Sequence, residues 1–336
     1  MRFGVPYQGS KNQIARWVID NLPEDEILVD LFAGGCAVTH AAMLSGKWNK
    51  VIANDIGDAP EVFCNAILGK YADEKRWISR EDFQDLKEID PYVSLCWSFG
   101  NNRRGYLYGQ EVEPWKKALH YARVFGDCSL LQEMGIDSDG SSDDVRKHHD
   151  EYKEKYIRWW LSKQKYTSAE LDELMANVKD GIERDEEELR QYLVDALKKS
   201  RLQELQSLQR LHSLQSLQSL QSLQKYKNNL TITRKSYSVV AIPDNTVVYA
   251  DPPYKGTDQT GYKCDFDYAA FEKWLNEVPF MVIVSEYNAP AGCVEIASIK
   301  KHSTLAQGNK GGTNTEKLFV QERFYNEYLQ KMGRLF

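Results

Sequence analysis

Ile27-Leu28-Val29-Asp30-Leu31-Phe32 is an almost unbroken apolar run of strand length, and Ala33-Gly34-Gly35-Cys36-Ala37 follows it directly. Such a run predicts a strand buried on both faces, the environment of a parallel sheet covered by helices. The glycines then turn the chain into a helix predicted from about Val38 to Leu44. Lys50-Val51-Ile52-Ala53 reads as the next strand, and it closes in Asn54-Asp55. Strand, glycine turn, helix and strand make a nucleotide-binding unit, in which glycine lets the backbone approach a ligand and an acidic residue about twenty positions on meets ribose hydroxyls. A lone Asp at a strand end is also a common helix cap. The GxGxxG spacing and the P-loop Lys-Ser/Thr are absent, which disfavours dinucleotides and ATP and leaves a smaller nucleoside.

A second apolar run, Thr246-Val247-Val248-Tyr249-Ala250, ends in Asp251-Pro252-Pro253-Tyr254. The tetrapeptide therefore falls at the C-terminal mouth of a buried strand, where open α/β sheets bind ligands. Two prolines donate no backbone N–H, so acceptors dominate this corner beside a carboxylate and a phenol. A planar exocyclic amine suits it: Asp251 and the Pro252 carbonyl accept its two N–H groups, and Tyr254 offers a ring for stacking. A Pro-bounded turn after a core strand is the plain alternative.

Tyr7-Gln8-Gly9-Ser10-Lys11 precedes an amphipathic helix with Ile14, Trp17 and Val18 on its apolar side. Ser10 is predicted to cap that helix, with Lys11 either aimed at a ligand carboxylate or simply solvated. At 336 residues with 42% hydrophobic content, the chain has room for about two domains. Its net charge of -6 gives no global attraction to a polyanion, so nucleic-acid binding requires a local basic groove. The six cysteines are scattered without CxxC pairs or histidine clusters, which predicts neither a metal site nor a disulfide framework. The first residues lack an apolar signal core and no 18-residue apolar span occurs, so a cytoplasmic, non-membrane protein, monomeric in solution, is expected.

Together, Tyr7 to Lys11, Phe32-Ala33-Gly34-Gly35, Asn54-Asp55-Ile56 and Asp251-Pro252-Pro253-Tyr254 stand in the order and spacing of the Dam-type (D12 class) DNA adenine-N6 methyltransferases, which this chain resembles. The resemblance covers roughly residues 1 to 70 and 229 to 325. It implies a Rossmann-like class I methyltransferase sheet split by a largely helical insertion, with residues 1–70 and 229–336 forming the catalytic domain and residues 71–228 the DNA-recognition insertion. It further implies S-adenosyl-L-methionine as methyl donor, held by Tyr7, Lys11, Phe32, Gly34, Asp55 and Asp251, with no metal. Double-stranded DNA is the implied partner, and Asp251, Pro252, Pro253 and Tyr254 the catalytic motif acting on a flipped-out base. One departure is visible: the family's FxGxG turn is Phe32-Ala33-Gly34-Gly35-Cys36 here, so the second glycine is shifted by one.

The middle resembles the family chiefly in Ser98-Phe99-Gly100-Asn101-Asn102-Arg103-Arg104-Gly105-Tyr106. Residues 72–90 and 111–126 read as short amphipathic helices flanking a loop at 91–110. Asn101, Asn102, Arg103, Arg104 and Tyr106 there suit phosphates and base edges, or a solvated turn. Residues 133–147, acidic and rich in Ser and Gly, read as a flexible loop, and helical periodicity returns from Asp144, with Trp159 and Trp160 on a basic segment, and again from Glu183. Arg201 to Gln224 is eight Leu-Gln-type triplets. On an α-helix, leucines three apart slip by about 60° per step, so no single face is apolar; a helix with a leucine spiral or a disordered spacer is expected. Beyond Leu230-Thr233, a strand, Lys255 to Tyr262 suits a lid, Asp267 a helix cap, Phe280 to Ser285 a buried strand, and Lys300 to Gly312 a phosphate-touching loop or a hairpin connection before a last strand at Glu316 to Val320. Cytosine-N4 methylation, methylation of a protein glutamine, and a non-catalytic DNA-binding protein retaining the fold are the rival readings. Asp rather than Ser or Asn at 251, and the large insertion, weigh against the first two; the intact Lys11, Asp55, Asp251 and Tyr254 weigh against the third.

Overall fold

The structure, a computed structural model, describes residues 2–163, 217–255, 266–302 and 313–334. Its chain divides into two compact units, one of residues 1–74, 85–105 and 213–336, the other of residues 75–84 and 106–212.

The first unit is a mixed α/β body around a seven-stranded sheet. Strands β1 (Ile27–Asp30), β2 (Lys50–Asn54), β3 (Leu230–Thr233), β4 (Thr246–Ala250) and β5 (Val282–Glu286) run parallel, while β6 (Cys293–His302) and β7 (Thr313–Gln321) form an antiparallel pair at one edge. The order is β3-β2-β1-β4-β5-β7-β6. The chain steps outward from β1 to β3, then returns to lay β4 on the opposite side of β1. That reversal opens a crevice at the carboxyl ends of β1 and β4, the position where such sheets bind ligands. The apolar runs are buried as their patterns require: Val29, Leu31, Val248, Ala250, Val282 and Val284 share one core with Phe271 and Leu275.

Helices α1 (Ala15–Asp20), α2 (Ala37–Ser45), α3 (Ala59–Ile67), α5 (Pro91–Cys96), α10 (Tyr268–Glu277) and α11 (Tyr325–Lys331) belong to this unit, whereas α4 (Arg80–Leu86) begins in the second unit and crosses the boundary. Asp267 caps α10 by accepting from Ala270 N, as the sequence predicts. Ser10 does not cap α1: the helix starts only at Ala15, and the Ser10 hydroxyl instead accepts from Asn12 N at 3.3 Å. The two intervening turns, closed by Ser10 N to Tyr7 O and Ile14 N to Lys11 O, take up the residues the cap would have needed. The span 91–110 is not all loop, because Asp90 caps α5 through Tyr92 N and Val93 N and Pro91 stands at its first turn.

The last triplets of the Leu-Gln repeat correct the expected spiral. Leu220–Asn229 winds as a 3-10 helix, with three residues per turn rather than 3.6. Leucines three apart then stack on one face, as the buried Leu220 and Leu223 do; the buried Leu217 precedes this helix, on α-helical residues 217–219. The earlier triplets and the helix predicted from Glu183 lie outside the described residues, as do most of Lys255 to Tyr262 and the centre of Lys300 to Gly312. His302 and Thr313, which flank the undescribed residues 303–312, pair in the β6–β7 ladder.

The described part of the second unit is helical: α6 (Glu113–Phe125), α7 (Ser129–Glu133), α8 (Ser142–Lys147) and α9 (His149–Lys163). Leu119, Leu131, Ile136, Tyr152 and Tyr156 form its core, with Trp159 and Trp160 partly buried against it. Residues 133–147 are therefore more built than their composition suggests. Ile136 is buried, Tyr152 Oη donates to Asp137 O at 2.9 Å, and Ser141 caps α8. Among the described residues, no helix is long and apolar enough to cross a membrane.

Candidate active site

The crevice between the carboxyl ends of β1 and β4 is a cavity of about 590 Å³. Tyr7, Lys11, Phe32, Gly34, Asp55, Asp251, Pro252, Pro253 and Tyr254 all line it. Residues some two hundred positions apart thus meet because β1 and β4 are sheet neighbours, with Asp30 in register with Tyr249.

The closest tie across the cavity is an ion pair of Lys11 Nζ with Asp251 Oδ1 at 2.8 Å, both side chains largely buried. Burial pushes the Asp251 carboxyl above the usual carboxylate range, and the Lys11 ammonium opposes that rise. Lys11 also stands 4.4 Å from the centroid of the Tyr254 ring. Asp55 is the hinge of the glycine turn. Its Oδ2 accepts from Gly34 N at 2.8 Å and its Oδ1 from Gly57 N at 2.7 Å. Burial raises its pKa, against those two backbone donors.

The glycine turn is packed to the limit. A Cβ on Gly35 would lie 2.6 Å from the Tyr7 Cβ and 2.7 Å from Val5 O, so glycine is required. Gly34 at φ +47° would meet the Tyr7 ring at 2.9 Å. Cys36, the residue after the two glycines, takes φ +59°, a left-handed conformation that costs a side-chain-bearing residue about 1–2 kcal/mol. The turn thus places its strain on a cysteine.

One wall of the cavity is aromatic: Phe32 lies 5.4 Å from Tyr237 and 5.7 Å from Phe266, centroid to centroid. The opposite side is acidic. Asp30, with Oδ2 accepting from Thr39 at 2.7 Å, has no hydrogen-bond partner for Oδ1, and burial pushes its pKa up to about 7. The Tyr249 hydroxyl is likewise buried, beside Ser285. Glu316, from β7, lines the same space. Among the described residues, no group of His, Cys, Asp and Glu is arranged to hold a metal ion.

The polar run after α5 is used differently from expectation. Arg103, at φ +66°, turns inward to pair with Asp58 and lines the cavity. Asn101 Nδ2 donates to Leu95 O at 2.9 Å, and Asn102 Oδ1 accepts from Arg104 N at 2.9 Å. Arg104 is exposed. Tyr106 is buried: its hydroxyl donates to Ile78 O at 2.6 Å and its ring packs on Phe83.

Sequence reasoning missed Asp30, Tyr237, Tyr249 and Glu316. Asp30 was visible as a carboxylate inside an apolar run, and Tyr249 shares the strand face of Asp251 at period two. Tyr237 and Glu316 carry no local signal, since their place depends on which strands become neighbours.

Residues 7–136 match the family model of the D12 class N6 adenine-specific DNA methyltransferase, a span that includes the glycine turn and Asp55 but ends before Asp251. A search of curated proteins found no match.

Proposed function

We propose, from the match over residues 7–136, that the chain is an adenine-specific DNA methyltransferase and that it transfers a methyl group from S-adenosyl-L-methionine to N6 of an adenine turned out of double-stranded DNA. The observation that carries this reading is the Lys11–Asp251 ion pair, which brings the N-terminal motif and the catalytic tetrapeptide to one cavity.

The residues present fit the donor. A sulfonium nucleoside is cationic and carries a ribose, a purine and an ammonium group. The buried Asp30 and Glu316 and the half-buried Asp55 and Asp251 give the cavity an acidic lining. In this reading Asp55 and the Gly34–Gly35 turn hold the ribose, Phe32 and Tyr237 flank the purine, and the unsatisfied Asp30 oxygen takes the ammonium group. When bound, the donor supplies an electrophilic methyl group.

Lys11 favours the ionised form of Asp251, whose carboxylate accepts an N–H of the target amine and restrains it for in-line attack. The Pro252 carbonyl accepts the other N–H, and the Tyr254 ring supports the base. Alignment of two reactants in a dry cavity accounts for several kcal/mol of barrier. An adenine amine cannot be reached inside the stack, so the base must leave it. Residues 1–70 and 229–336 form the catalytic domain in this reading, and residues 71–228 a helical insertion that reads DNA. The exposed Arg104 is the member of the Asn-Asn-Arg-Arg run best suited to phosphate.

The test is incubation of the protein with duplex DNA and methyl-labelled donor, then digestion to nucleosides. Label in N6-methyl-2′-deoxyadenosine, lost in Asp251→Asn, is the expected result. Label in N4-methylcytosine, or none in any DNA, would overturn the proposal.

A further inference from the structure

We infer that Glu316 is a positioning residue for this reaction, holding Tyr254 by its hydroxyl so that the ring is fixed before the base arrives. The inference rests on the proposed function and deepens it. Glu316 stands on β7, more than sixty positions from the catalytic tetrapeptide and outside the family match. It is 2% exposed, and a carboxylate taken out of water is costly unless hydrogen-bonded.

What it binds identifies its role. Tyr254 Oη donates to Glu316 Oε2 at 2.7 Å and lies 2.6 Å from Ser285 Oγ. A phenol has one proton, and both Glu316 and Asp251 stand to accept it; with that proton directed to Glu316, the serine hydroxyl is the donor to Tyr254. The rest of the tyrosine is held too. Tyr268 Oη donates to the Tyr254 carbonyl at 2.8 Å, and the Tyr287 ring meets it edge-on at 4.6 Å. Lys11, whose ammonium lies over the ring, is already paired with Asp251. If Tyr254 served only as a flat apolar surface, phenylalanine would do as well without burying a hydroxyl beside a carboxylate. The hydroxyl earns its place by removing the ring's freedom to pivot about its two side-chain torsions, so less order must be imposed when the base binds.

The experiment compares wild type with Glu316→Met, Glu316→Gln, Tyr254→Phe and the Tyr254→Phe/Glu316→Met double variant, with Glu295→Ala as a control. Glu295 is on β6 and pairs with Lys317 at the surface, so it reports the integrity of the hairpin. The inference expects kcat to fall about tenfold in Glu316→Met with donor KM within about threefold. Glu316→Gln, whose amide oxygen still accepts, stays within about threefold of wild type. The double variant is no slower than Tyr254→Phe alone, because each change breaks the same contact. Should Glu316→Met fail to fold, Ser285→Ala replaces it, with a smaller loss that again does not add to Tyr254→Phe. A wild-type kcat in Glu316→Met, multiplied losses in the double variant, or a glutamine variant as slow as the methionine one would overturn the inference. Those outcomes leave the proposed function standing if wild type methylates adenine; a wild type that transfers no methyl to DNA sinks that function and this inference with it.

Discussion

Asp30 ends an otherwise apolar strand, and its cost to the fold depends on pH. Burial raises its pKa from 3.8 to about 7, and Thr39 offsets only part of that. The folded state therefore binds a proton more tightly than the unfolded chain does. Between pH 4 and pH 7 the folded protein holds more protons, so this group's contribution to stability falls as pH rises through that window and is flat above it. The whole effect is bounded at about 4 kcal/mol by the size of the shift. Asp30→Asn keeps an acceptor for Thr39 and removes the charge. The midpoint of urea unfolding for Asp30→Asn, relative to wild type, is expected to rise between pH 5 and pH 8; a constant difference across that range would show that Asp30 stays ionised or relaxes to water. Donor affinity is expected to drop in the same variant, because the unsatisfied oxygen is the one assigned to the ammonium group.

At the level of elements, Asn54 joins three segments through one side-chain amide. Its Nδ2 donates to Leu31 O and Lys235 O, each at 3.0 Å, and its Oδ1 accepts from Thr233 Oγ1 at 2.8 Å and Lys235 N at 3.1 Å. The amide thus clamps the end of β2 to the ends of β1 and β3 at the rim of the cavity. Asn54→Ala strands several buried polar groups and is expected to destabilise the protein by about 2–4 kcal/mol, read as a lower denaturant midpoint with the slope unchanged. A loss below about 0.5 kcal/mol would mean that water replaces the amide. The end of the triplet repeat shows a related point about period. Three-residue spacing is wrong for an α-helix seam and right for a 3-10 turn, so the same leucines that would circle an α-helix line up here.

The first unit draws on three stretches of chain, residues 1–74, 85–105 and 213–336, yet it contains the entire lining of the cavity. A ligand that binds only the folded unit stabilises it by mass action, about 2.7 kcal/mol at a hundredfold excess over Kd. On addition of S-adenosyl-L-methionine, slowed hydrogen exchange is expected in segments 30–38, 54–57, 235–237 and 251–254. Segments 113–125 and 149–163 of the second unit are expected to be unchanged; protection confined to them would move the donor site away from the β1–β4 crevice. Much of this was written in local pattern. The buried strands, the glycine turn, Asp55 and the Asp-Pro-Pro-Tyr corner follow from hydrophobic runs and from residues with special backbone demands, both of which act over a few neighbours. The β6 strand escaped because its alternation is broken by a register shift between Glu295 and Ala297, and the burial of Tyr106 and the Arg103–Asp58 pair were not legible because composition does not say which way a side chain turns. What tertiary structure alone decided was adjacency: that β4 lies beside β1, that Lys11 meets Asp251, and that Glu316 reaches Tyr254 from a distant strand. Such contacts arise when sheet order closes loops of dozens to hundreds of residues, and no short-range preference in the chain encodes the outcome.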